Sequence, residues 1–327
     1  MKQQGIEIIG FGKNVGEKVV TNAMLEKIVD TNDEWIVQRT GIKERTVTNQ
    51  STAKLASIAL ENACKNANIS LEKLDLLVVS TTSSEHIMPP TSGVILKELG
   101  VQKQIPAFDI NVACSGFVFA LDIARSSMMD GSYEYVAVIG VEKYSQYIDW
   151  TDRQTCILFG DGAGCVILQK SKVGKISEAY LKNKLDINSS LHLEATIQSN
   201  CPFFEQPKVE QTYMKMTGQE VFKFAVTVIP DAMSKLLEQL DITVDTIDYF
   251  VLHQANSRIL DFVAKKYKVP QEKFFMNLDI YGNTGAASIP LALADMEERN
   301  LLKSGTKLIL VGFGGGLSWG SIYIEIP

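Results

Sequence analysis

The chain has 327 residues and a mass of 36.1 kDa, a length that corresponds to about two domains. Hydrophobic residues make up 46% and charged residues 21%, which is a globular composition and argues against disorder. The 32 Lys and Arg residues and 38 Asp and Glu residues give a net charge of −6, which argues against a general nucleic-acid binder. No apolar run approaches the roughly 20 residues of a membrane helix, and Met1–Gly10 predicts a strand and not a signal peptide. We therefore expect a cytoplasmic protein without a membrane partner.

The elements predicted along the chain occur twice in the same order. In the first half, the hydrophobic pattern predicts helix 53–67, a segment 69–80 that begins as a short loop and ends as a buried strand, and apolar strands at 135–140 and 164–168. In the second half, it predicts helix 225–240, a segment 242–253 of the same loop-and-strand kind, and apolar strands at 307–312 and 320–324. Continuous apolar strands alternating with helices are typical of buried α/β sheets, so we expect a duplicated α/β unit. The polar stretch 169–174 predicts the boundary, which gives an N-terminal half, 1–172, and a C-terminal half, 173–327.

Three segments do not fit this pattern of helices and strands. Residues 183–211 are irregular and polar, which is typical of a functional cover or an interaction loop. Residues 160–164 are glycine-rich but lack the dinucleotide spacing, so they predict a turn. The glycine-rich segment 312–320 predicts a turn between strands that brings the backbone close to a ligand. No P-loop is present, which lowers the nucleotide-binding alternative. The Gly-x-Ser-x-Gly match at Gly316–Gly320 lies in this turn between two predicted strands and not at a strand-to-helix elbow, which lowers the hydrolase alternative.

The cysteines and histidines limit the possible chemistry. The odd number of cysteines and the lack of a Cys-x-x-Cys motif argue against disulfides and against a structural zinc site. Each cysteine is then either a small buried residue or a reactive thiol. The five cysteines are Cys64, Cys114, Cys156, Cys165 and Cys201. The three histidines, from which any histidine base must come, are His86, His192 and His253.

Cys114 lies where a predicted strand meets a predicted helix. The residues before it read as a strand, and residues 117–129 form an almost wholly apolar helix, which predicts burial. A cysteine at a helix start meets free N–H groups and the positive end of the helix dipole, so we expect its pKa to be lowered. The alternative interpretation is a packed core cysteine, and the local sequence leaves both open.

His253 and Asn283 occupy corresponding places in the second half. His253 ends a predicted strand, where side chains commonly face a ligand crevice, although a structural histidine is the alternative. Asn283 lies in a Gly-Asn-Thr-Gly turn that opens a helix, and its alternative role is a helix N-cap. In the repeat, Asn283 aligns with Cys114. Two repeat-related helix starts directed at one cleft favour a joint site of Cys114, His253 and Asn283.

Six motifs in the same order resemble the ketoacyl-acyl-carrier-protein synthase III family of thiolase-fold condensing enzymes, almost from end to end. The catalytic triad distinguishes the relatives in this group. Elongating ketosynthases have a Cys-His-His triad and degradative thiolases have Cys-His-Cys, whereas this chain has a Cys-His-Asn set. Plant-type polyketide synthases share that set but carry Gly-Phe-Gly-Pro-Gly, and Gly315 here replaces the proline. The motifs are Asp33–Arg45, Ala113–Phe117, Asp152–Arg153 with Leu158–Gly164, His253–Asn256, Gly282–Gly285 and Gly312–Gly316.

The resemblance implies a thiolase-like fold with layers in the order α-β-α-β-α, and a two-step reaction. Cys114 takes an acyl group from acyl-CoA, with backbone N–H groups of Cys114 and Gly315 as the oxyanion hole. Malonyl-acyl carrier protein then loses CO₂, and His253 and Asn283 stabilise the enolate that attacks the acyl group. The product is a 3-oxoacyl chain that initiates fatty-acid synthesis. Both thioesters are substrates, so neither a cofactor nor a metal is expected.

The resemblance also assigns contacts to the two substrates. It implies that Trp35 and Arg153 sandwich the CoA adenine and that Arg39 contacts a phosphate, roles that suit an aromatic face and guanidinium groups. Surface residues or ion pairs are the alternatives. A basic patch around the pocket mouth resembles a docking site for the acidic carrier protein, against the alternative of a solvated helix face. The residues of this patch are Lys223, Arg258, Lys265 and Lys266.

A homodimer is the last implication of the resemblance. Met88 matches a position that reaches into the acyl pocket of the partner subunit, with ordinary packing as its alternative. The apolar strand 107–112 is the candidate sheet edge for subunit pairing.

Two other functions remain open from the sequence. The first is a related acyltransferase or starter-unit enzyme of secondary or cell-surface metabolism, which would pass the acyl group from Cys114 to another acceptor. The second is a non-catalytic dimer partner, against which the intact Cys114, His253 and Asn283 argue. The acyl primer is not identified by these residues.

Overall fold

We analysed a computed structural model of the protein, which describes residues 5–194, 202–203 and 212–327. The strands of these residues are β1 Gly5–Val15, β2 Lys18–Thr21, β3 Glu44–Val47, β4 Leu76–Ser80, β5 Ala107–Ile110, β6 Tyr135–Lys143, β7 Asp161–Ser171, β8 Lys175–Ile176, β9 Tyr180–Asn183, β10 Leu191–His192, β11 Lys215–Met216, β12 Tyr249–Leu252, β13 Lys307–Gly314 and β14 Ser318–Glu325. The α-helices are α1 Asn22–Leu25, α2 Asp33–Thr40, α3 Thr52–Asn66, α4 Thr91–Glu98, α5 Gly116–Met129, α6 Gly218–Leu240, α7 Ser257–Tyr267, α8 Leu278–Tyr281 and α9 Ser288–Glu298.

The two halves form sheets with the same internal pairing. In the first sheet, with order β1-β7-β6-β4-β5, strands β4 and β6 are parallel and β6 and β7 are antiparallel. In the second, with order β12-β13-β14-β8 and β9 also on β14, strands β12 and β13 are parallel and β13 and β14 antiparallel. This repetition confirms the predicted duplicated α/β unit. The predicted boundary at residues 172 and 173 falls between β7 and β8 and stays a prediction.

The core consists of helices and sheets in five layers. Helices α5 and α9 lie between the two sheets, and their apolar side chains join those of both sheets in one buried cluster. Helix α3 covers the outer face of the first sheet, and α6 and α7 cover the outer face of the second. The burial of α5 on both sides explains why its sequence is apolar around most of its circumference. The predicted α-β-α-β-α arrangement is confirmed.

The predicted turn at residues 160–164 is wrong, because β7 already begins at Asp161. The glycines of this strand make room for α9 and do not form a turn. A Cβ atom at Gly164 would lie only 2.6 Å from the backbone nitrogen of Leu291, and one at Gly162 would lie 2.9 Å from the Leu291 side chain. Close approach of a helix is therefore the reason for glycine within this strand.

Helix α6 begins at Gly218, seven residues before the predicted start at residue 225. Its first two turns line a cavity instead of the core, so they lack the apolar periodicity that reveals a helix. Most of the irregular segment 183–211 lies outside the described residues, as does Cys201. Its described beginning contains the short strand β10, which pairs with β11. Among the helices of the described chain, none has the length and apolarity needed to cross a membrane.

Candidate active site

Cys114 lies in a tight connection between β5 and α5. Residues Ala113–Ser115 form a single 3₁₀ turn, and Ala113 has a positive φ of 45°, which is unusual for a residue with a side chain. The end of β13 packs directly against this turn, since a Cβ atom at Gly314 would lie 2.8 Å from Cys114 Cβ and 2.9 Å from its nitrogen. The second half of the chain thus holds the thiol of the first half in place.

The position at a helix start predicts a lowered pKa for the Cys114 thiol, but the environment of Cys114 in the structure raises this pKa. Cys114 is only 5% exposed, and burial together with the negative charge of Glu142 raises the pKa to about 12. Hydrogen bonds from the Tyr144 hydroxyl and from the backbone of Cys114 act in the opposite direction. The prediction was wrong because desolvation of a thiolate costs more than these donors supply in the free protein.

His253 follows the end of β12 and is 2% exposed. Its Nδ1 lies 2.7 Å from the Ser288 hydroxyl at the start of α9, and its ring meets Phe313 edge to face at 5.0 Å between centroids. Burial lowers the pKa of His253 to about 3, so the imidazole is neutral at physiological pH. Because Nδ1 of this neutral imidazole is hydrogen-bonded to Ser288, Nε2 is the ring nitrogen that can contact a substrate.

Asn283 lies in the loop between α8 and α9, as the repeat predicts. The residues just before β7 fix the backbone of this loop through two hydrogen bonds. The Asn283 N–H donates to Leu158 O at 2.8 Å, and the Gly160 N–H donates to Asn283 O at 3.0 Å. The Asn283 side-chain oxygen accepts a hydrogen bond from the Gly285 N–H at 3.0 Å. The oxygen is therefore occupied, which leaves the Nδ2 amide group as a hydrogen-bond donor.

These three side chains line one cavity of about 700 Å³, which we call the first cavity. The three side chains come from three separate connections. Cys114 lies between β5 and α5, His253 between β12 and α7, and Asn283 between α8 and α9. The sequence separations of 139 and 169 residues between Cys114 and its two partners are bridged only by the packing of the two halves. The described cavity wall also includes Trp35 and Arg39.

Trp35 is in contact with both predicted arginines. The Arg39 guanidinium lies 4.5 Å from the centre of the Trp35 ring, and the Arg153 guanidinium lies 5.1 Å from it. Arg153 also donates to the backbone oxygen of Asp30 at 2.9 Å. The predicted sandwich of an adenine between Trp35 and Arg153 therefore requires the arginine to swing away from the indole ring. Arg153 itself is not part of the first cavity's described lining.

The predicted basic patch divides into two parts. Lys223 on α6 and Arg258 at the first turn of α7 line the first cavity and are exposed. Lys265 and Lys266 lie in the last turn of the same helix α7, outside the cavity wall. Because seven residues make about two helical turns, Lys265 shares a helix face with Arg258 at a distance of roughly 10 Å along the axis.

A second cavity, of about 320 Å³, shares Cys114 with the first cavity. Cys114 and Gly315 both line it, together with Thr82, Asn111 and Tyr144. Gly315 belongs to the turn between β13 and β14, and this turn is fixed because the Ser318 hydroxyl donates to Gly315 O at 2.9 Å. The predicted oxyanion-hole residues thus line one cavity. Their role as an oxyanion hole stays a prediction.

Met88 is not among the described residues that line either cavity and is 85% exposed, beside Ile87, which is 97% exposed. Strand β5 is the edge of the first sheet, in agreement with the predicted edge at 107–112, although the strand itself ends at Ile110. Both features leave apolar surface uncovered in a single subunit.

The sequence did not identify four residues around the triad: Thr82, Glu142, Tyr144 and Ser288. Ser288 begins α9, five residues after Asn283, so the predicted helix start after Asn283 was the sequence feature that could have indicated this residue. Glu142 lies within β6 and Tyr144 directly follows this strand, and neither belongs to a motif that the sequence offered. Within the described part of the chain, no cluster of three or more His, Cys, Asp or Glu side chains is arranged to hold a metal ion.

Comparison with known proteins gives one consistent family. Residues 108–184 match the family model "3-Oxoacyl-[acyl-carrier-protein (ACP)] synthase III", and residues 237–326 match the model of its C-terminal part. A beta-ketoacyl-[acyl-carrier-protein] synthase III of Clostridium acetobutylicum is 44% identical over 321 residues, which is 98% of each chain.

Solved structures agree with this relationship. The crystal structure of a 3-oxoacyl-[acyl-carrier-protein] synthase III from Aquifex aeolicus is 39% identical, with a TM-score of 0.90 over 98% of this chain and 100% of that chain. A priming beta-ketosynthase from the R1128 polyketide biosynthetic pathway is 31% identical, with a TM-score of 0.91 over 100% and 97% of the two chains. With its thiolase-like fold and nearly full-length similarity, the chain belongs to the 3-oxoacyl-[acyl-carrier-protein] synthase III family.

Proposed function

We propose that this chain is an acyltransferase that condenses an acyl-CoA primer with malonyl-acyl carrier protein and so initiates fatty-acid synthesis. The observation that carries the proposal is the convergence of Cys114, His253 and Asn283 on one cavity whose wall also holds Trp35 and Arg258. A nucleophile, two neutral donors and a cationic entrance are the parts that a decarboxylating condensation of two thioesters needs.

In the first half-reaction, the Cys114 sulfur attacks the carbonyl carbon of acyl-CoA. The new C–S bond forms as the bond to the CoA sulfur breaks, and CoA leaves as a thiol after taking up the proton that Cys114 has lost. The carbonyl oxygen becomes negative in the transition state. Backbone N–H groups of Cys114 and Gly315, which line the same cavity, are the donors for this charge.

In the second half-reaction, malonyl-acyl carrier protein loses CO₂ and leaves an enolate. The electron pair of the broken C–C bond moves toward the thioester oxygen, where His253 and Asn283 act as donors. The Asn283 oxygen already accepts from Gly285, so its NH₂ group is directed to the substrate. The Gln254 N–H donates to Ser288 Oγ at 3.3 Å, which frees the Ser288 proton for Nδ1 of His253 and leaves the imidazole proton on Nε2.

The enolate carbon then attacks the acyl group on Cys114. A C–C bond forms and the C–S bond breaks with its electron pair on the sulfur, so that Cys114 leaves as a thiolate and takes up a proton from water, while the carrier bears the 3-oxoacyl product. A neutral His253 suits this step, because a neutral donor stabilises the enolate without protonating it readily. The scheme needs no cofactor, since both thioesters enter as substrates.

Substrate binding follows from the charges at the entrance. CoA carries phosphates and an adenine, which fit the guanidinium of Arg39 and the ring of Trp35 once Arg153 has moved to cover the base. Carrier proteins are acidic, and the protein as a whole has a net charge of −6, so a local positive surface is required for docking. Arg258 and Lys223 supply that surface at the cavity, and Lys265 and Lys266 extend it along α7.

A homodimer completes the proposal. The edge strand β5 provides unpaired backbone groups that a second copy can extend into a continuous sheet. The exposed Met88 is then available to enter the second cavity of the partner subunit. Light scattering should give about twice the mass of one chain at micromolar concentration, whereas a monomer would contradict this part of the proposal.

The alternative of a starter-unit enzyme in a specialised pathway is favoured by one observation, the similarity to a priming beta-ketosynthase of a polyketide pathway. The triad would serve both reactions, so the difference lies in the primer and in the acceptor.

Intact-protein mass spectrometry separates these functions. The protein is exposed to a panel of straight and branched acyl-CoAs, and the mass added to Cys114 identifies the primer. Labelled malonyl-acyl carrier protein is then supplied, and CO₂ and the 3-oxoacyl product are measured. Acylation without any release of CO₂ would overturn the condensation and leave only acyl transfer to another acceptor.

A further inference from the structure

Helices α8 and α9 flank the loop that carries Asn283, and one buried carboxylate joins the two helices. Asp295 lies on α9, about two turns after the start of this helix at Ser288, and is 3% exposed. Its oxygens accept hydrogen bonds from both ends of α8. The Nδ2 group of Asn277, the residue before α8, donates to Asp295 Oδ2 at 2.9 Å, and the hydroxyl of Tyr281, the last residue of α8, donates to Oδ1 at 3.3 Å.

A lysine from the first half of the chain neutralises this carboxylate. Lys13 of β1 forms an ion pair with Asp295 and a second ion pair with Glu298, whose oxygen lies 2.7 Å from the Lys13 nitrogen. The Lys13 ammonium group also donates to the Tyr281 oxygen at 3.5 Å. Glu298 differs from Asp295 because its side chain is 62% exposed and has no hydrogen bond to α8 in the described structure.

The position of Asn283 depends on where α8 lies relative to α9, because residues 282–287 connect the two helices. The backbone hydrogen bonds of Asn283 to Leu158 and Gly160 fix the middle of this connection from the first half. Helix α8 has only four residues, so it has few hydrogen bonds of its own and depends on contacts with its neighbours. Asp295 supplies such contacts at both ends of α8.

On the basis of the proposed donor role of Asn283, we propose that Asp295 is a positioning residue for the condensation. By holding both ends of α8 against α9, it fixes the loop from which the Asn283 amide donates to the thioester oxygen. Asp295 is not among the described residues that line either cavity, so it acts through the loop and not on the substrate.

Stability of the fold alone does not account for a charged group at this place. Removing a carboxylate from water costs free energy that its ion pair largely returns, so a buried ion pair adds little net stability and apolar residues often replace one without loss. A carboxylate has two oxygens that bind separate donors at fixed distances, which an apolar side chain does not do. Asp295 uses one oxygen for each end of α8, and this arrangement suits the fixing of geometry.

The first test is hydrogen exchange, measured by mass spectrometry on peptides that cover residues 277–287. In Asp295→Asn, one carboxylate oxygen becomes an NH₂ group, which accepts no hydrogen bond from α8 and forms no ion pair with β1. The amides of these peptides, including the Gly285 N–H that donates to Asn283 Oδ1, should exchange about tenfold faster, the contribution of one hydrogen bond to a charged group. Peptides of α3 should exchange at the unmutated rate. This measurement needs no substrate.

The second test compares the two half-reactions in one protein sample. Asp295→Asn should keep most self-acylation of Cys114 but reduce CO₂ release from malonyl-acyl carrier protein about tenfold, because only the second step uses Asn283. A general loss of folded protein would lower both rates together. Tyr281→Phe, which removes one of the two contacts to α8 and keeps the ring, should show the same selective defect to a smaller degree.

Glu298→Gln is the matched control, since Glu298 lies on the same helix and pairs with the same lysine but does not hold α8. It should exchange and release CO₂ at the unmutated rates. The proposal is overturned if Asp295→Asn leaves exchange in residues 277–287 unchanged, if all peptides of Asp295→Asn exchange faster to the same extent, or if Glu298→Gln shows the same defect. An unmutated protein that releases no CO₂ would overturn the proposed function, and the exchange measurement would still decide whether Asp295 fixes the loop.

Discussion

The first and second cavities meet at Cys114 but differ in size and charge. The first, of about 700 Å³, has the positive side chains Arg39, Lys223 and Arg258 in its described wall. The second, of about 320 Å³, has no Lys, Arg, Asp or Glu among the described residues that line it. Its polar side chains are mainly hydroxyls and amides, together with the imidazole of His192 and the thiol of Cys114.

In the proposed reaction, this difference would separate two tasks at one sulfur atom. Positive charge at the first cavity suits the phosphates of a coenzyme and the acidic surface of a carrier, which have to arrive and leave. The second cavity, whose described wall has no Lys, Arg, Asp or Glu, suits an acyl chain that would stay on Cys114 between the proposed half-reactions. Substitutions at the sulfur should therefore stop all chemistry, and substitutions in the first cavity should affect single steps.

The largest effect is expected at the residue that both cavities share. Cys114→Ala should abolish self-acylation, because the alanine has no nucleophile and the other described cysteines are buried. Intact-protein mass spectrometry with acyl-CoA measures the added acyl mass. Cys64→Ala, a substitution in the helix α3 far from both cavity walls, is the control and should acylate normally. An acyl group found on Cys114→Ala would mean that the nucleophile is another residue.

The next effect separates the two steps within the first cavity. Asn283→Ala should keep most self-acylation but reduce CO₂ release from malonyl-acyl carrier protein by about 10²–10³-fold, the usual cost of removing one such donor. Asn283→Asp is the matched variant, because it keeps the oxygen that accepts from Gly285 but lacks the NH₂ donor. If Asn283→Asp releases CO₂ at the unmutated rate, Asn283 has only a structural role.

A smaller effect is expected at the outer end of the first cavity. Trp35→Ala removes the aromatic face beneath Arg39 and Arg153, so kcat/KM for acyl-CoA should fall about tenfold or more, the value of one stacked base. The corresponding acyl-N-acetylcysteamine thioester, which lacks the nucleotide, should react equally well with both proteins. An equal loss with this short thioester would show that Trp35 supports the fold of the site and does not bind the nucleotide.

The smallest effect concerns the docking surface. Arg258→Glu should reduce the rate with malonyl-acyl carrier protein by about tenfold at low salt, and less at high salt, because charge steering is screened by ions. Acylation by acyl-CoA should change less. Lys265→Glu is the graded comparison, since it lies two turns farther along α7 and outside the cavity wall. An Arg258→Glu defect that is equal in both half-reactions would assign Arg258 to the cavity itself and not to docking.

The sequence predicted the central elements well where burial is continuous. Helix α5 was predicted from 117 to 129 and extends from Gly116 to Met129, because apolar side chains along its length, such as Phe117, Leu121 and Met128, are buried between the two sheets. The start of α6 was missed for the opposite reason, since its first turns face a cavity. The glycines of β7 were misread as a turn because glycine in a strand and glycine in a turn look alike until the helix α9 is known to press on them.

The sequence by itself determined the duplicated order of elements and predicted a joint site of Cys114, His253 and Asn283, since both depend on local patterns and motifs. The tertiary structure decided the surroundings of these residues. It packs the end of β13 against Cys114, raises the pKa of the Cys114 thiol through burial, and places Nδ1 of His253 2.7 Å from the Ser288 hydroxyl. These effects depend on desolvation and on contacts between residues that are distant in the chain. Such contacts exist only after the chain has folded, so no local pattern in the sequence encodes them.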